Sequence, residues 1–286
     1  MPSWPLILKD DPSVLFTSAG MQPLVPYFLG KKQPPAKRII AVQKGFRATD
    51  IDEVGKDGYH QTFFEMLGNF GIGDYWKKEA IEWGWELLTK VFGFDGTKLV
   101  ATVHTSDDEA YEIWTKTLAL LPPERIYRLG DEFNTWSLGP TGLYGPDSEV
   151  FIDKGPQPGV KPHDCNPGEH CGRFVEIWNY VFQQYDRKAD GTLVPLAKPN
   201  IDTGAGLERL TQVLLEQCGL DIGDRAQRPG RQRGVAAVVG EGQRLGVELG
   251  AADHRHRLTA GHGQRVAGGQ RRRRRGRRRQ VHRTRF

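Results

Sequence analysis

A hydrophobic core needs large apolar side chains distributed along the chain, and in this chain they stop abruptly. Of 28 aromatic residues, 27 lie in residues 1–220 and only Phe286 lies beyond. Residues 221–286 hold 18 arginines, no lysine and 5 acidic residues, a net charge of +13, whereas residues 1–220 carry −8. The overall +5 therefore averages an acidic part rich in core-forming aromatics with a basic part almost without them. A reading of the whole chain as a basic nucleic-acid binder is excluded by that division. The expected organisation is one folded domain over 1–220 and an Arg/Gly-rich tail over 221–286, ending in "RRRRRGRRR" (Arg271–Arg279). Three origins stand for the tail: a disordered RNA-binding arm, a diverged helical region, or the product of a shifted reading frame in GC-rich coding sequence. Its abrupt onset, and arginine without lysine, favour the last.

Three cysteines, Cys165, Cys171 and Cys218, are too few for a disulfide framework in 286 residues, which points to a reducing compartment. No apolar run of about 18 residues is present to span a membrane. The N-terminal "MPSWPLILKDDPSVLF" has no basic region followed by a long apolar core, so no secretory leader is expected. The location implied is cytoplasmic, without membrane partners.

Periodicity outlines an α+β domain. "SVLFTSAGM" (13–21) reads as a strand and turn, and "IIAVQKGFR" (39–47) and 62–72 read as strands joined by a long polar loop. A helix over 75–92 is expected, capped by Asp74 and stopped by Gly93. After a strand at 98–104, "SDDE" forms a capping-box pattern, Ser106 with Glu109, that opens another helix. Strands return at 125–129 and 149–152. "RFVEIWNYVFQQYDRKADGTLVPL" then gives a long strand, an Asp190-Gly191 turn and a return strand. Strands joined by hairpins and interrupted by helices argue for an antiparallel sheet flanked by helices.

The stretch "IDTGAGLER" (201–209) sets small residues immediately before an apolar helix, a common way to hold an anion or nucleotide. By itself it equally suits a tight turn with Asp202 as cap and Arg209 as a solvated charge. With "QKGFR", "HQTFFEMLGNFGIGDYW", "SDDEAYEIW" and "RFVEIWNYVFQQY", in this order, it resembles the catalytic domain of the alanyl-tRNA synthetases, a family of class II aminoacyl-tRNA synthetases, from about residue 2 to 217. That resemblance implies an antiparallel sheet carrying ATP, with Mg²⁺, and activation of alanine to alanyl-adenylate followed by transfer to tRNA(Ala). Arg47, Asp202 and Arg209 are the implied catalytic residues. His60, Phe64, Glu65, Met66, Gly204 and Gly206, with Arg47 and Arg209, are implied to bind ATP. Trp136, Asn179 and Asp202, with Arg47, are implied to hold alanine, Asp202 pairing with its ammonium.

Departures from the family pattern are Ala205, in place of a larger apolar residue, and the wording around Pro140 and Tyr144. The chain begins inside what resembles the family's first conserved block, and nothing in 221–286 resembles the family's tRNA-binding or editing regions, so transfer is expected to be impaired. The competing class is a noncatalytic RNA-binding or scaffold protein derived from such a domain. For metals, "HDCNPGEHC" presents His163, Cys165, His170 and Cys171, four zinc-ligand types in nine residues, but spaced more tightly than paired-cysteine knuckles. The two cysteines read equally as free thiols, and zinc is the weaker reading.

Overall fold

The computed structural model describes residues 1–9, 14–55, 59–157, 159, 161, 165–169 and 171–217. The expectations for the tail, for Cys218, and for His163 and His170 lie outside the described residues. Strands β1 (Arg38–Phe46) and β2 (Phe63–Ile72) form the expected hairpin, in register from Arg38 opposite Gly71 to Phe46 opposite Phe63. β3 (Leu99–His104), β4 (Ile126–Leu129), β5 (Thr135–Ser137), β6 (Gly142–Asp153), β7 (Phe174–Arg187) and β8 (Leu193–Gly206) follow. Among the described residues these eight strands make one sheet, ordered β1-β2-β8-β7-β6-β3-β4, with β5 added on β6. Every pairing is antiparallel except β3 with β4.

Side chains alternate across a strand, so the sheet has two faces of different character. One face carries Tyr180, Phe182, Ile201 and Ala205 into the main core, where they meet Ile81, Leu88, Trp114 and Leu210 from the helices. Those helices are α2 (Lys77–Glu86) and α3 (Asp108–Glu112), each continued by widened turns (Leu87–Val91 with Leu88, Ile113–Thr117 with Trp114), and α4 (Leu207–Gln217), after the short α1 (Val25–Phe28) near the N-terminus. On the other face a smaller core joins Phe70 and Leu143 of the sheet to Ala19, Met21, Leu24 and Phe28 of the N-terminal segment. The segment covers only part of this face.

Four local expectations are corrected. Residues 14–21 form no strand; the segment crosses the sheet as irregular chain, with Thr17 O accepting from Phe46 N at 2.8 Å. Helix α2 begins after Trp76, and Asp74 pairs with Arg38 instead of capping it. Gly93, with φ of 74°, does mark the end of the widened turns that follow α2. Helix α3 is capped by Asp107, whose carboxylate accepts from Ala110 N at 3.0 Å, while Ser106 Oγ bonds His104 Nδ1. Finally, Cys165 and Cys171 are joined as a disulfide packed against Val100, Phe151 and Phe174, so neither is a free thiol and neither sulfur is available as a zinc ligand.

Candidate active site

The uncovered part of the second face is a cleft with a volume of about 170 Å³. Its floor follows from strand register. Met66 of β2 stands opposite Gly206 of β8, Gly204 of β8 opposite Asn179 of β7, Asp202 opposite Val181, and Asn179 opposite Glu149 of β6. Cross-strand partners share a face, so these residues form one continuous surface. "DTGAG" is therefore strand rather than turn: β8 runs to Gly206 and α4 begins at Leu207. Neither glycine has a positive φ among those of the described residues. Gly204 keeps the floor low, since a Cβ there would sit 3.1 Å from Met66 Sδ.

Two arginines stand at the rim. Arg47 follows β1, its Nε donates to Ser18 O at 3.0 Å, and its guanidinium lies 5.1 Å from the Phe64 ring centroid. Burial pushes Arg47 below its ordinary value while Asp50 and Glu176 oppose the shift, and a guanidinium with such neighbours stays charged. Arg209, the third residue of α4, donates from Nη1 to Glu176 Oε2 at 2.7 Å and lies 5.2 Å from the Tyr59 ring. Both guanidiniums are thus held in place with donors left over for anionic oxygens. Trp136, on the short β5, and His60, beside Tyr59, complete the lining.

Of the residues implied by resemblance, Arg47, His60, Phe64, Met66, Trp136, Asn179, Asp202, Gly204, Gly206 and Arg209 line this one cleft. Glu65 does not. The alternation that turns Phe64 and Met66 toward the cleft sends the Glu65 side chain to the opposite face, while its backbone N–H donates to both Glu208 carboxylate oxygens at 3.0 and 3.1 Å.

The structure adds two carboxylates that sequence reasoning passed over, Glu149 and Glu176. Glu176 and Asn179 are three residues apart and should face opposite ways in a regular strand. A bulge in β7, where Val150 pairs with Trp178 but Phe151 with Glu176, skips Ile177 and brings both to the cleft. Asn179 Nδ2 donates to Glu149 Oε1 at 2.9 Å, and Asn179 Oδ1 has no partner within the protein. Burial, followed by the charges of Glu176 and Asp147, holds Glu149 well above the usual carboxylate range. Asp147, behind it, is pushed up to about 7, chiefly by burial, although Asn134 Nδ2 donates to it at 2.8 Å. Asp202 is also held well above its usual range by burial, with Gln183 as the neighbour that favours its charged form.

Crowded carboxylates of this kind suit a hard cation. Among the described residues no three His, Cys, Asp or Glu side chains are grouped to hold a metal unaided. Mg²⁺ is commonly bound through one or two carboxylates together with phosphate oxygens and water. Glu149 and Glu176 are the residues that would contribute.

Fold and cleft together define an antiparallel-sheet ligand-binding domain with paired cationic clamps at the rim and a buried carboxylate in the floor. The chain belongs to the class II tRNA synthetases: the family described as tRNA synthetases class II (A) matches residues 1–218. It is 49% identical over 214 residues to an alanine–tRNA ligase of Thermoanaerobacter sp. (strain X514), covering 75% of this chain and 24% of the relative. It is 50% identical over 213 residues to that of Alkaliphilus oremlandii, covering 74% and 24%. For the Fusobacterium nucleatum ligase the identity is 50% over 209 residues, covering 73% and 24%. The chain thus spans about a quarter of the length of these relatives. Among solved structures it is similar to a histidyl-tRNA synthetase of S. aureus, with a TM-score of 0.42, 13% identity, and 72% and 53% of the two chains covered.

Proposed function

We propose that this domain uses ATP to activate alanine as alanyl-adenylate and passes the alanyl group to tRNA(Ala), working in the cytoplasm, with residues 1–220 as the aminoacylation domain. The observation that carries the reading is the convergence of Arg47, Asn179 and Asp202 in one small cleft. Alanine offers a methyl group, an ammonium and a carboxylate, so its recognition rests on charge and close fit. Asp202 suits the ammonium, and Asn179 Oδ1 supplies an acceptor with no competing partner in the protein. Trp136 and Val181 bound the space for the methyl. Such a pocket excludes bulky side chains sterically but separates alanine from glycine or serine by only about 1–3 kcal/mol.

In this reading the nucleotide lies on the floor made by Gly204 and Gly206, with Phe64, Met66 and His60 along its side and Arg209 across it. Arg47 holds the amino-acid carboxylate against the α-phosphate. The carboxylate oxygen attacks phosphorus, the P–O bond to pyrophosphate breaks, and its electron pair leaves with the pyrophosphate. Negative charge gathers on phosphate oxygens, so catalysis is mainly positioning and cationic stabilisation. Glu149 and Glu176 would hold Mg²⁺ together with the phosphates, and the ion would supply further neutralisation of that charge. The terminal ribose hydroxyl of tRNA then attacks the activated carbonyl, and AMP leaves. The arginine-rich tail adds a sequence-independent attraction for the RNA backbone, so charging is expected to be salt-sensitive and weakly selective.

Alanine-dependent exchange of pyrophosphate into ATP, measured with Mg²⁺, tests the reading. Exchange driven by alanine in preference to leucine or valine supports it. A folded chain that binds RNA but catalyses no exchange would instead be the noncatalytic RNA-binding or scaffold protein.

A further inference from the structure

Next to Asp202 lies a polar side chain that the scheme above leaves unused. Gln183 of β7 is two residues beyond Val181, which is the cross-strand partner of Asp202, so Gln183 shares that face of the sheet and stands diagonal to the carboxylate. Its relative exposure is 0%, and neither its amide nitrogen nor its amide oxygen meets a hydrogen-bond partner. Buried amides are ordinarily satisfied, so an orphaned one beside a buried carboxyl calls for a reason.

The surroundings narrow that reason. The N-terminal segment over this wall, residues 14–24, contains no titratable side chain. Tyr75, after β2, is pushed up by burial and then by the charge of Asp202, so it is no cationic partner. Arg47, Glu149, Glu176 and Arg209 share the cleft; burial pushes the Asp202 carboxyl up, and Gln183 is the neighbour that favours its charged form. The amide is a hydrogen-bond donor that can turn toward a carboxylate without bringing a charge of its own. A lysine or arginine there would neutralise Asp202 and compete with an incoming ammonium, whereas leucine would leave the carboxyl protonated and unable to attract one.

We propose that Gln183 is a positioning residue that keeps Asp202 a carboxylate aimed into the cleft, and so sets the affinity of the site for the ammonium of its amino-acid substrate. The substrate part rests on the functional reading above. The effect on Asp202 does not.

Both parts are testable on the full chain with Gln183→Leu, and with Gln183→Met, whose unbranched side chain fits the same space should the leucine variant fold poorly. The carboxyl carbon of Asp202, observed by NMR in ¹³C-aspartate-labelled protein and identified by its loss in Asp202→Asn, is followed against pH. The midpoint should rise in the Gln183 variant. A midpoint that stays or falls, or an Asp202 that remains protonated throughout in both proteins, overturns the proposal. In the exchange assay KM for alanine should rise about tenfold, the effect of one hydrogen bond that the turned amide can give the charged carboxylate and leucine cannot, with KM for ATP nearly unchanged. Its pH dependence should move to higher pH, a change that loosened packing alone would not produce. Equal increases in both KM values with no displacement in pH would mean that Gln183 only packs the wall. Absence of exchange in the unsubstituted chain would count against the functional reading, while the NMR midpoints would still decide the effect on Asp202.

Discussion

The two faces of the sheet are built from the same strands, and residues one position apart serve opposite ends. On the helix side Tyr180, Phe182 and Trp114 are fully buried and close a dense apolar core. On the cleft side Asn179, Gly204 and Asp202 present small or polar groups that stabilise the fold little. Burial holds Asp202 and Glu149 toward their protonated forms, and Asn179 Oδ1 and Gln183 are unsatisfied. The helix face holds the domain together, and the cleft face gathers buried carboxyl groups that a charged ligand would pair.

The largest expected effect breaks the comparison on one side only. Asp202→Ala removes the partner of the substrate ammonium and should cost about 3–5 kcal/mol in alanine activation. The thermal midpoint should hold or rise, because the buried carboxyl contributes little to folding. Alanine-dependent exchange, ATP titration and calorimetry together check this, and equal loss of ATP and alanine binding would show that Asp202 belongs to the fold or the nucleotide site. On the opposite face, Trp114→Ala should lower stability by about 3–5 kcal/mol, through the cavity and the loss of the bond from Trp114 Nε1 to Ser148 Oγ at 3.0 Å. Denaturant unfolding measures it, and a stable variant would mean that the helices contribute less than their packing implies.

Smaller changes sharpen the contrast. Arg47→Lys keeps the charge but loses the fork, so the exchange rate should fall more than ATP binding does. An unchanged rate would remove Arg47 from the reacting centre. Gly204→Ala places a methyl 3.1 Å from Met66 Sδ, which can shift aside, so stability should change by less than about 1 kcal/mol while KM for ATP rises several-fold. The smallest effect is on pH dependence. Asp147 is pushed up to about 7 in the folded chain, and Asp202 and Glu149 are also raised, so the folded state binds more protons than the unfolded state above about pH 4. This contribution is fully present below the unfolded value and is lost as pH rises through the folded one. The thermal midpoint of the unligated chain should therefore fall by a few degrees between pH 5 and pH 8, and Asp147→Asn should flatten the trend.

Much of this was legible in the residue order. The β1–β2 hairpin, the stop at Gly93 and the long β7–β8 hairpin follow from alternation, glycine and turn chemistry, all local. Arg47, Asn179, Asp202 and Arg209 were legible because their neighbours match a family pattern. The errors share a different origin. Asp74 looked like a cap because it precedes an apolar run, but an arginine 36 positions earlier in the chain takes its carboxylate. Cys165 and Cys171 looked like thiols because three cysteines make no framework, but the loop between β6 and β7 folds them together.

The sequence by itself determined where a core can form, the kinds of element, and the chemical types gathered at the site, since these depend on composition and on periods of two and about 3.6. Tertiary structure alone decided which face each residue serves. Glu65 was lost from the cleft by simple alternation, Glu176 was gained by the skipped Ile177, and "DTGAG" became strand because β2 and β7 pair with it on both sides. The physical reason is that a one-residue irregularity turns a side chain to the other face of a sheet. That irregularity is set by hydrogen bonds to a partner strand distant in the chain.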